Sequence, residues 1–256
     1  MARIIAVANQ KGGVGKTTTT VNLSACLAEK GKKVLTIDID PQGNTTRGFG
    51  IDKRKLKNTV YELLLGQAST KKCIIKRVFK NISLIPADVE LAGAEIELVQ
   101  LEDNSFVLKK YIDEIRDNYD YVIIDCPPSL STLTVNALTT ADTVLVPIQC
   151  EFFALEGLSQ LMYTINLVKK RLNPNLEIEG VVFTMYDART NLSLQVVDEV
   201  KKELKRTNIY KTIIPRNVRL GEAPSHGLPI NIYDTHSKGA ESYRLLADEV
   251  INRKEE

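Results

Sequence analysis

The chain has 256 residues, 43% apolar and 26% charged, with 34 Lys plus Arg against 32 Asp plus Glu. That length suits one large α/β domain able to bury its own core, and the composition excludes a disordered, fibrous or disulfide-scaffold chain. A net charge of +2 excludes a uniformly basic nucleic-acid binder, so any such contact has to come from a local patch.

In chain order, an apolar run at 3–8 predicts a first strand, which opens into a glycine-rich segment and a helix over 16–29. Gly31 stands where a left-handed helix cap is expected. Further strands are predicted at 33–39, 82–85, 121–125, 143–147, 178–184 and 209–214, most of them continuously apolar, as strands buried on both faces are. Helices are predicted at 59–65, 105–117, 155–172, 192–205 and 240–253. In 155–172, Leu158, Leu161, Met162, Ile165 and Val168 recur at spacings of three and four, a core stripe rather than a ligand site. The charge-dense stretches 52–57 and Lys71-Lys72 read as solvated faces. Alternating strands and helices predict a doubly wound α/β fold, a mostly parallel sheet with helices on both faces, as one domain over 1–256.

Cys26, Cys73, Cys126 and Cys150 form no C-x-x-C pair, which argues against a zinc or iron–sulfur site and for core thiols in a reducing compartment. The N-terminal apolar run is too short for a signal peptide, and no stretch approaches the roughly 20 apolar residues of a membrane span. The expected location is the cytoplasm, where the N-x-[ST] sequons at Asn44, Asn81 and Asn191 carry no meaning.

The first strand runs into Lys11-Gly12-Gly13-Val14-Gly15-Lys16-Thr17-Thr18 and then a helix. The strict G-x-x-x-x-G-K-[ST] pattern fails, since its first glycine falls on Gln10, but its second half is intact. Glycines let backbone N–H groups face phosphates, and the helix adds its unpaired donors and positive dipole end. Lys16 supplies charge for the β- and γ-phosphates and the Thr17 hydroxyl a ligand for Mg²⁺. Asp38 and Asp40 share one side of a strand, and Asp40, before Pro41, sits at its C-terminal end, where open α/β sheets bind ligands. Asp125 closes the apolar run 121–124 and is placed to hold Mg²⁺, chiefly through water. Lone His226 and His236 read as structural or exposed.

Lys-Gly-Gly-Val-Gly-Lys-Thr-Thr resembles the deviant Walker A motif of the ParA/MinD ATPases. With the motifs at 37–44, 92–97, 119–128, 215–220 and 223–227, the resemblance is nearest to Soj-type chromosome-partitioning ATPases and covers about 2–250. It implies ATP and Mg²⁺ as ligands, with Lys11, Lys16 and Asp40 as hydrolytic residues. Thr17, Asp40 and Asp125 belong to the metal site, Asp38 is structural, and Pro215 and Asn217 contact adenine. It further implies a homodimer that forms face to face on ATP, Lys11 reaching the partner's phosphates. The dimer would bind double-stranded DNA without sequence preference on the nucleoid, through Arg189, Arg216 and Arg219. A ParB-type centromere-binding protein is the implied stimulating partner, and a replication initiator a further one. The competing functions are a MinD-like membrane-bound positioner, which needs an amphipathic C-terminal helix absent from 249–256, an iron–sulfur carrier, and a non-hydrolysing scaffold.

Overall fold

The computed structural model describes residues 1–151, 154–204 and 209–253, the side chain of residue 203 excepted. One eight-stranded sheet organises them: β1 (Arg3–Val7), β2 (Val34–Asp38), β3 (Ile75–Phe79), β4 (Ile82–Ile85), β5 (Tyr121–Asp125), β6 (Thr143–Gln149), β7 (Glu177–Tyr186) and β8 (Ile209–Pro215). Their spatial order is β3-β4-β2-β5-β1-β6-β7-β8. All pairings are parallel except β3 with β4, an antiparallel hairpin at one edge. The mostly parallel, doubly wound expectation is met; β3 itself was not predicted.

The continuous apolar strands are buried on both faces because helices cover both. Ile4 and Ala6 point into one core with Leu35, Ile37, Leu158, Leu161, Ile165 and Val168. Ile5 and Val7 point into the other with Leu23, Leu27, Tyr243 and Leu246. The first core packs under α3 (Val60–Leu64), α5 (Leu91–Leu98), α6 (Val107–Asp113), α7 (Thr132–Thr140), α8 (Ala154–Arg171) and α9 (Asn191–Glu203). The second packs under α1 (Lys16–Glu29), α11 (Ile230–Tyr233) and α12 (Lys238–Asn252). Short helices α2 (Asn44–Gly48), α4 (Thr70–Cys73) and α10 (Val218–Glu222) complete the set.

Local chemistry explains several boundaries. Thr59 caps the N-terminus of α3, its side chain accepting from Tyr61 N while Glu62 reaches back to Thr59 N, a capping box that opens the predicted 59–65 segment. Gly31 has φ 84 and ends α1 as expected. The predicted helix over 105–117 stops sooner, at Asp113, and a 3-10 turn spans Arg116–Asn118. The predicted end of α9 at Lys205 and the C-terminal tip Lys254–Glu256 lie outside the described residues. The four cysteines are buried and free, and Met162 flanks the core. No helix among the described residues is long and apolar enough to cross a membrane.

Candidate nucleotide site

Every chemical group singled out at the ends of β1, β2, β5 and β8 lies along the C-terminal edge of the sheet. The chain leaves β1 towards β2 and β4, returns at β5, and then moves the other way through β6, β7 and β8. The helices therefore change face beside β1, the crevice where open α/β sheets take ligands.

The loop 11–15 turns sharply from β1 into α1. Gly15, at φ 89, precedes the first turn of α1 in a conformation that disfavours a side chain. No atom comes within 4 Å of where a Cβ would sit on Gly12 or Gly13, so open space lies against the loop. The loop is braced from outside: Thr184 at the end of β7 donates through Oγ1 to Val14 O at 2.8 Å. Asn9 donates to Pro147 O at 2.8 Å and accepts from Lys11 N at 3.0 Å, tying the loop's entry to β6.

Lys16 is buried, at 7% exposure, and its Nζ donates to Lys11 O at 3.0 Å across the loop. Burial lowers its pKa, opposed by the charges of Asp125 and Asp40, which places both carboxylates near this ammonium. Lys11 makes a different contact: its Nζ pairs with Glu151 Oε2 at 2.6 Å, just beyond β6, and Gln149 Nε2 donates to the other oxygen of Glu151. The two loop lysines are thus held apart, one inward and one towards β6.

Asp125 Oδ2 accepts from Thr17 Oγ1 at 2.8 Å and Thr45 Oγ1 at 2.7 Å, while Oδ1 accepts from Thr20 Oγ1 at 3.3 Å. Asp38 lies opposite Asp125 in the parallel register of β2 and β5. Its Oδ2 accepts from Thr46 N at 2.8 Å and Thr46 Oγ1 at 2.7 Å, fastening α2 to the strand. Burial pushes the pKa of both carboxyls up, and the charge of Asp125 pushes Asp38 further. Asp40, 7% exposed, accepts from Gln42 N at 2.9 Å, and its carbonyl accepts from Gly43 N at 2.8 Å, a tight turn leading into α2. The donor set fits a magnesium ion: a threonine hydroxyl and carboxylates, with no cluster of three or more His, Cys, Asp or Glu among the described residues.

Beside the loop, a cavity of about 270 Å³ is bordered by Gly15, Thr18, Met185, Pro215, Asn217 and Tyr243. Pro215 and Asn217 therefore line the same opening as the phosphate loop. The Asn217 Oδ1 accepts from Leu220 N at 3.3 Å and caps α10, which orients its amide. Arg216 borders this cavity too, its N donating to Tyr186 O at 3.1 Å and its charge acting on Asp187, with which the exposed guanidinium of Arg189 pairs at 2.6 Å. Arg219 pairs with Glu222 at 2.8 Å and Asp234 at 3.4 Å. His226 stacks on Tyr233 at 4.9 Å between ring centroids.

Sequence reasoning missed Thr20 and Thr45 as partners of Asp125, and Asn9, Thr184 and Glu151 as braces of the loop. Thr45 stands five residues after Asp40, a cue that the next turn faces the site. The others reach it through strand order, which a linear pattern does not carry.

A family model described as an AAA domain matches residues 2–178. The sporulation initiation inhibitor protein Soj of Bacillus subtilis is 58% identical over 250 residues, covering 98% of each chain. The chromosome partitioning protein ParA of Caulobacter vibrioides is 52% identical over 253 residues, covering 98% of this chain and 94% of that one. Among solved structures, a cobyrinic acid a,c-diamide synthase from Mycobacterium smegmatis with bound ATP analogue and magnesium superposes with a TM-score of 0.88 at 38% identity. It covers 100% of this chain and 96% of that one. A deviant phosphate loop braced by two neighbouring strands, with likeness of this extent along nearly the whole length, places the chain in the Soj/ParA family of chromosome-partitioning ATPases.

Proposed function

We propose that this chain, as one domain, binds ATP with Mg²⁺, dimerises in that state, holds DNA non-specifically as a dimer, and returns to monomer on hydrolysis. The observation that carries the reading is the convergence of the 11–17 loop, Asp40, Asp125 and the Pro215–Asn217 cavity on one sheet edge. The M. smegmatis structure with an ATP analogue and magnesium supports the ligand assignment.

In this reading the backbone amides of 12–17 hold the phosphates and Lys16 moves from the Lys11 carbonyl to the β- and γ-oxygens. Thr17 and Asp125 hold the metal, which when bound neutralises phosphate charge. Asp40 orients the attacking water. Pro215 and the Asn217 amide read the adenine edge. Lys11, already turned from its own loop to Glu151, is free to reach a second copy's phosphates once that ion pair opens. A half-exposed pair of this kind contributes only about 0–1 kcal/mol, so opening it is cheap. Hydrolysis then depends on a partner, turnover of the isolated chain is slow, and a ParB-type centromere-binding protein stimulates it. Arg189, Arg216 and Arg219 are the sequence's candidates for DNA phosphate contact.

Size-exclusion chromatography of the unaltered chain and Asp40→Ala, each with ATP and Mg²⁺, tests the switch. The expected result is a stable dimer for Asp40→Ala and monomer for the unaltered chain as ATP is consumed. Two monomeric profiles rule the switch out.

A further inference from the structure

Of the three exposed arginines expected to meet DNA, two are already neutralised, Arg189 by Asp187 and Arg219 by Glu222 and Asp234, which leaves Arg216 as the one without an ion pair among the described residues. A cation whose field is cancelled by an adjacent carboxylate attracts phosphate only after that pair breaks. Elsewhere the opposite arrangement occurs. Between Glu62 and Asp88 there is no acidic residue and five basic ones: Lys71, Lys72, Lys76, Arg77 and Lys80. They are five of the 34 Lys and Arg, and the remaining 29 are outnumbered by 32 Asp and Glu.

All five are exposed, on α4, on β3 and in the β3–β4 turn, and none has an ion pair among the described residues. Glu62 is engaged in capping α3, accepting from Thr59 N at 2.6 Å. The strand is anchored from behind: Val78 and Phe79 pack on the second core, and the Phe79 and Phe49 rings lie 6.0 Å apart. Arg77 has φ 55, and the pairing of β3 with β4 is irregular between Ile75 and Phe79. Strict alternation would turn either Lys76 or Arg77 inward; the irregularity leaves both exposed. A left-handed arginine costs on the order of 1 kcal/mol, a cost retained here at the place that turns two cations outward. Blocking edge-to-edge pairing accounts for one or two charges on an edge strand. Five in ten residues, none neutralised, exceed that need.

We propose that this basic edge, α4 and β3, is a DNA-backbone contact surface of the ATP-bound protein, additional to the arginines of 189–219. The proposal rests on the reading of an ATP-dependent DNA-binding dimer given above. Five residues of strand span roughly 16 Å. That length of duplex carries about ten phosphates. The cations on the strand, its turn and α4 need only the repeating phosphate charge, and contacts confined to the backbone carry no sequence information.

The test measures salt dependence of binding to a random-sequence duplex by Asp40→Ala protein with ATP. It compares that parent with the added triple change Lys76→Gln, Arg77→Asn, Lys80→Gln, asparagine being chosen because it tolerates the left-handed backbone. A second variant, Lys71→Gln with Lys72→Gln, leaves the strand untouched. Each lost phosphate contact lowers the slope of log K against log[salt] by about 0.9, so the triple change should lower it by roughly 3 per chain. ATP-dependent dimerisation should be unchanged in both variants. An unchanged slope in both variants, with the parent binding DNA, overturns the surface and leaves the ATP switch standing. Loss of stimulation by an acidic partner protein with an unchanged DNA slope overturns it in favour of that partner. A parent that dimerises but never binds DNA overturns the DNA reading as well.

Discussion

Glu179→Ala is expected to destabilise the chain strongly while leaving nucleotide affinity intact. Glu179 sits near the start of β7, at the sheet edge opposite the phosphate loop, and its side chain is fully buried. It pairs with Arg3 Nη2 at 2.5 Å and accepts from Thr143 Oγ1 at 2.6 Å and Tyr210 OH at 2.9 Å. Arg3 also donates to Val250 O at 3.0 Å, and Arg253 lies 3.9 Å over the Tyr210 ring while donating to Ile209 O. One carboxylate thus joins β1, β6, β7 and β8 and, through the two arginines, α12. Burial and the Glu179 charge push the Tyr210 phenol up, so the ring stays a neutral donor. Truncation leaves Arg3, with 15% of its side chain exposed, without its counter-ion, and two hydroxyls without an acceptor. Removing one partner of a buried pair costs about 3–5 kcal/mol. At roughly 2 cal/mol/K of unfolding entropy per residue, that lowers the midpoint of this chain by about 6–9 °C. Differential scanning calorimetry reads the shift, and ATP titration well below the midpoint reads the site. A shift of only a degree or so would show that the network contributes little. A folded variant with weakened ATP binding would show that the two sheet edges are not independent.

Gly13, at φ 75 with open space around it, is the place to test the phosphate cradle. Gly13→Val strains the backbone by about 1–2 kcal/mol and fills that space, so the chain should still fold but bind ATP weakly or not at all by calorimetric titration. Retained affinity would put the phosphates elsewhere. Asp38 gives a pH prediction. Its native pKa is raised, so the native state holds more protons than the unfolded one between the ordinary carboxylate range near 4 and the raised value. Stability is therefore greatest below that window and falls as pH rises through it, by at most about 1.4 kcal/mol per pH unit for one carboxyl. Asp38→Asn keeps an acceptor for Thr46 and should flatten that fall in chemical denaturation of the nucleotide-free chain; identical pH curves would remove Asp38 as the cause.

The strands were legible because they are buried on both faces and read as continuous apolar runs, as 121–124 does. β3 was not, since Ile75–Phe79 lies at an edge and mixes Ile, Val and Phe with Lys76 and Arg77. α5 and α7 escaped for a related reason: Gly93 interrupts one, and Thr132, Thr134, Thr139 and Thr140 fill the other. Threonine favours strands and turns in isolation. Here Thr139 Oγ1 bonds Val135 O at 3.0 Å and Thr140 Oγ1 bonds Asn136 O at 2.7 Å, which satisfies the hydroxyls inside the helix. At the site, the chemical groups were readable from short motifs, since each motif lies within one strand–turn unit. The Lys11–Glu151 pair and the Thr184 brace were not, being 140 and 170 residues apart in sequence and brought together by β1, β6 and β7. Lys71-Lys72 reads as a solvated face until the edge position of β3 shows how many neighbours share its charge.

The claim on which the functional account turns is that Lys11 serves a second copy's site. Lys11→Ala and Asp40→Ala chains, each inactive alone, are mixed free of nucleotide and then given ATP and Mg²⁺, and phosphate release is followed. In the mixed dimer the Lys11→Ala chain keeps its own Asp40 and receives Lys11 from its partner. Random pairing then restores roughly a quarter of the unaltered rate per chain, one working site in each mixed dimer. Phosphate release no greater than that of the two inactive chains would mean that Lys11 acts only within its own subunit, and would contradict the account.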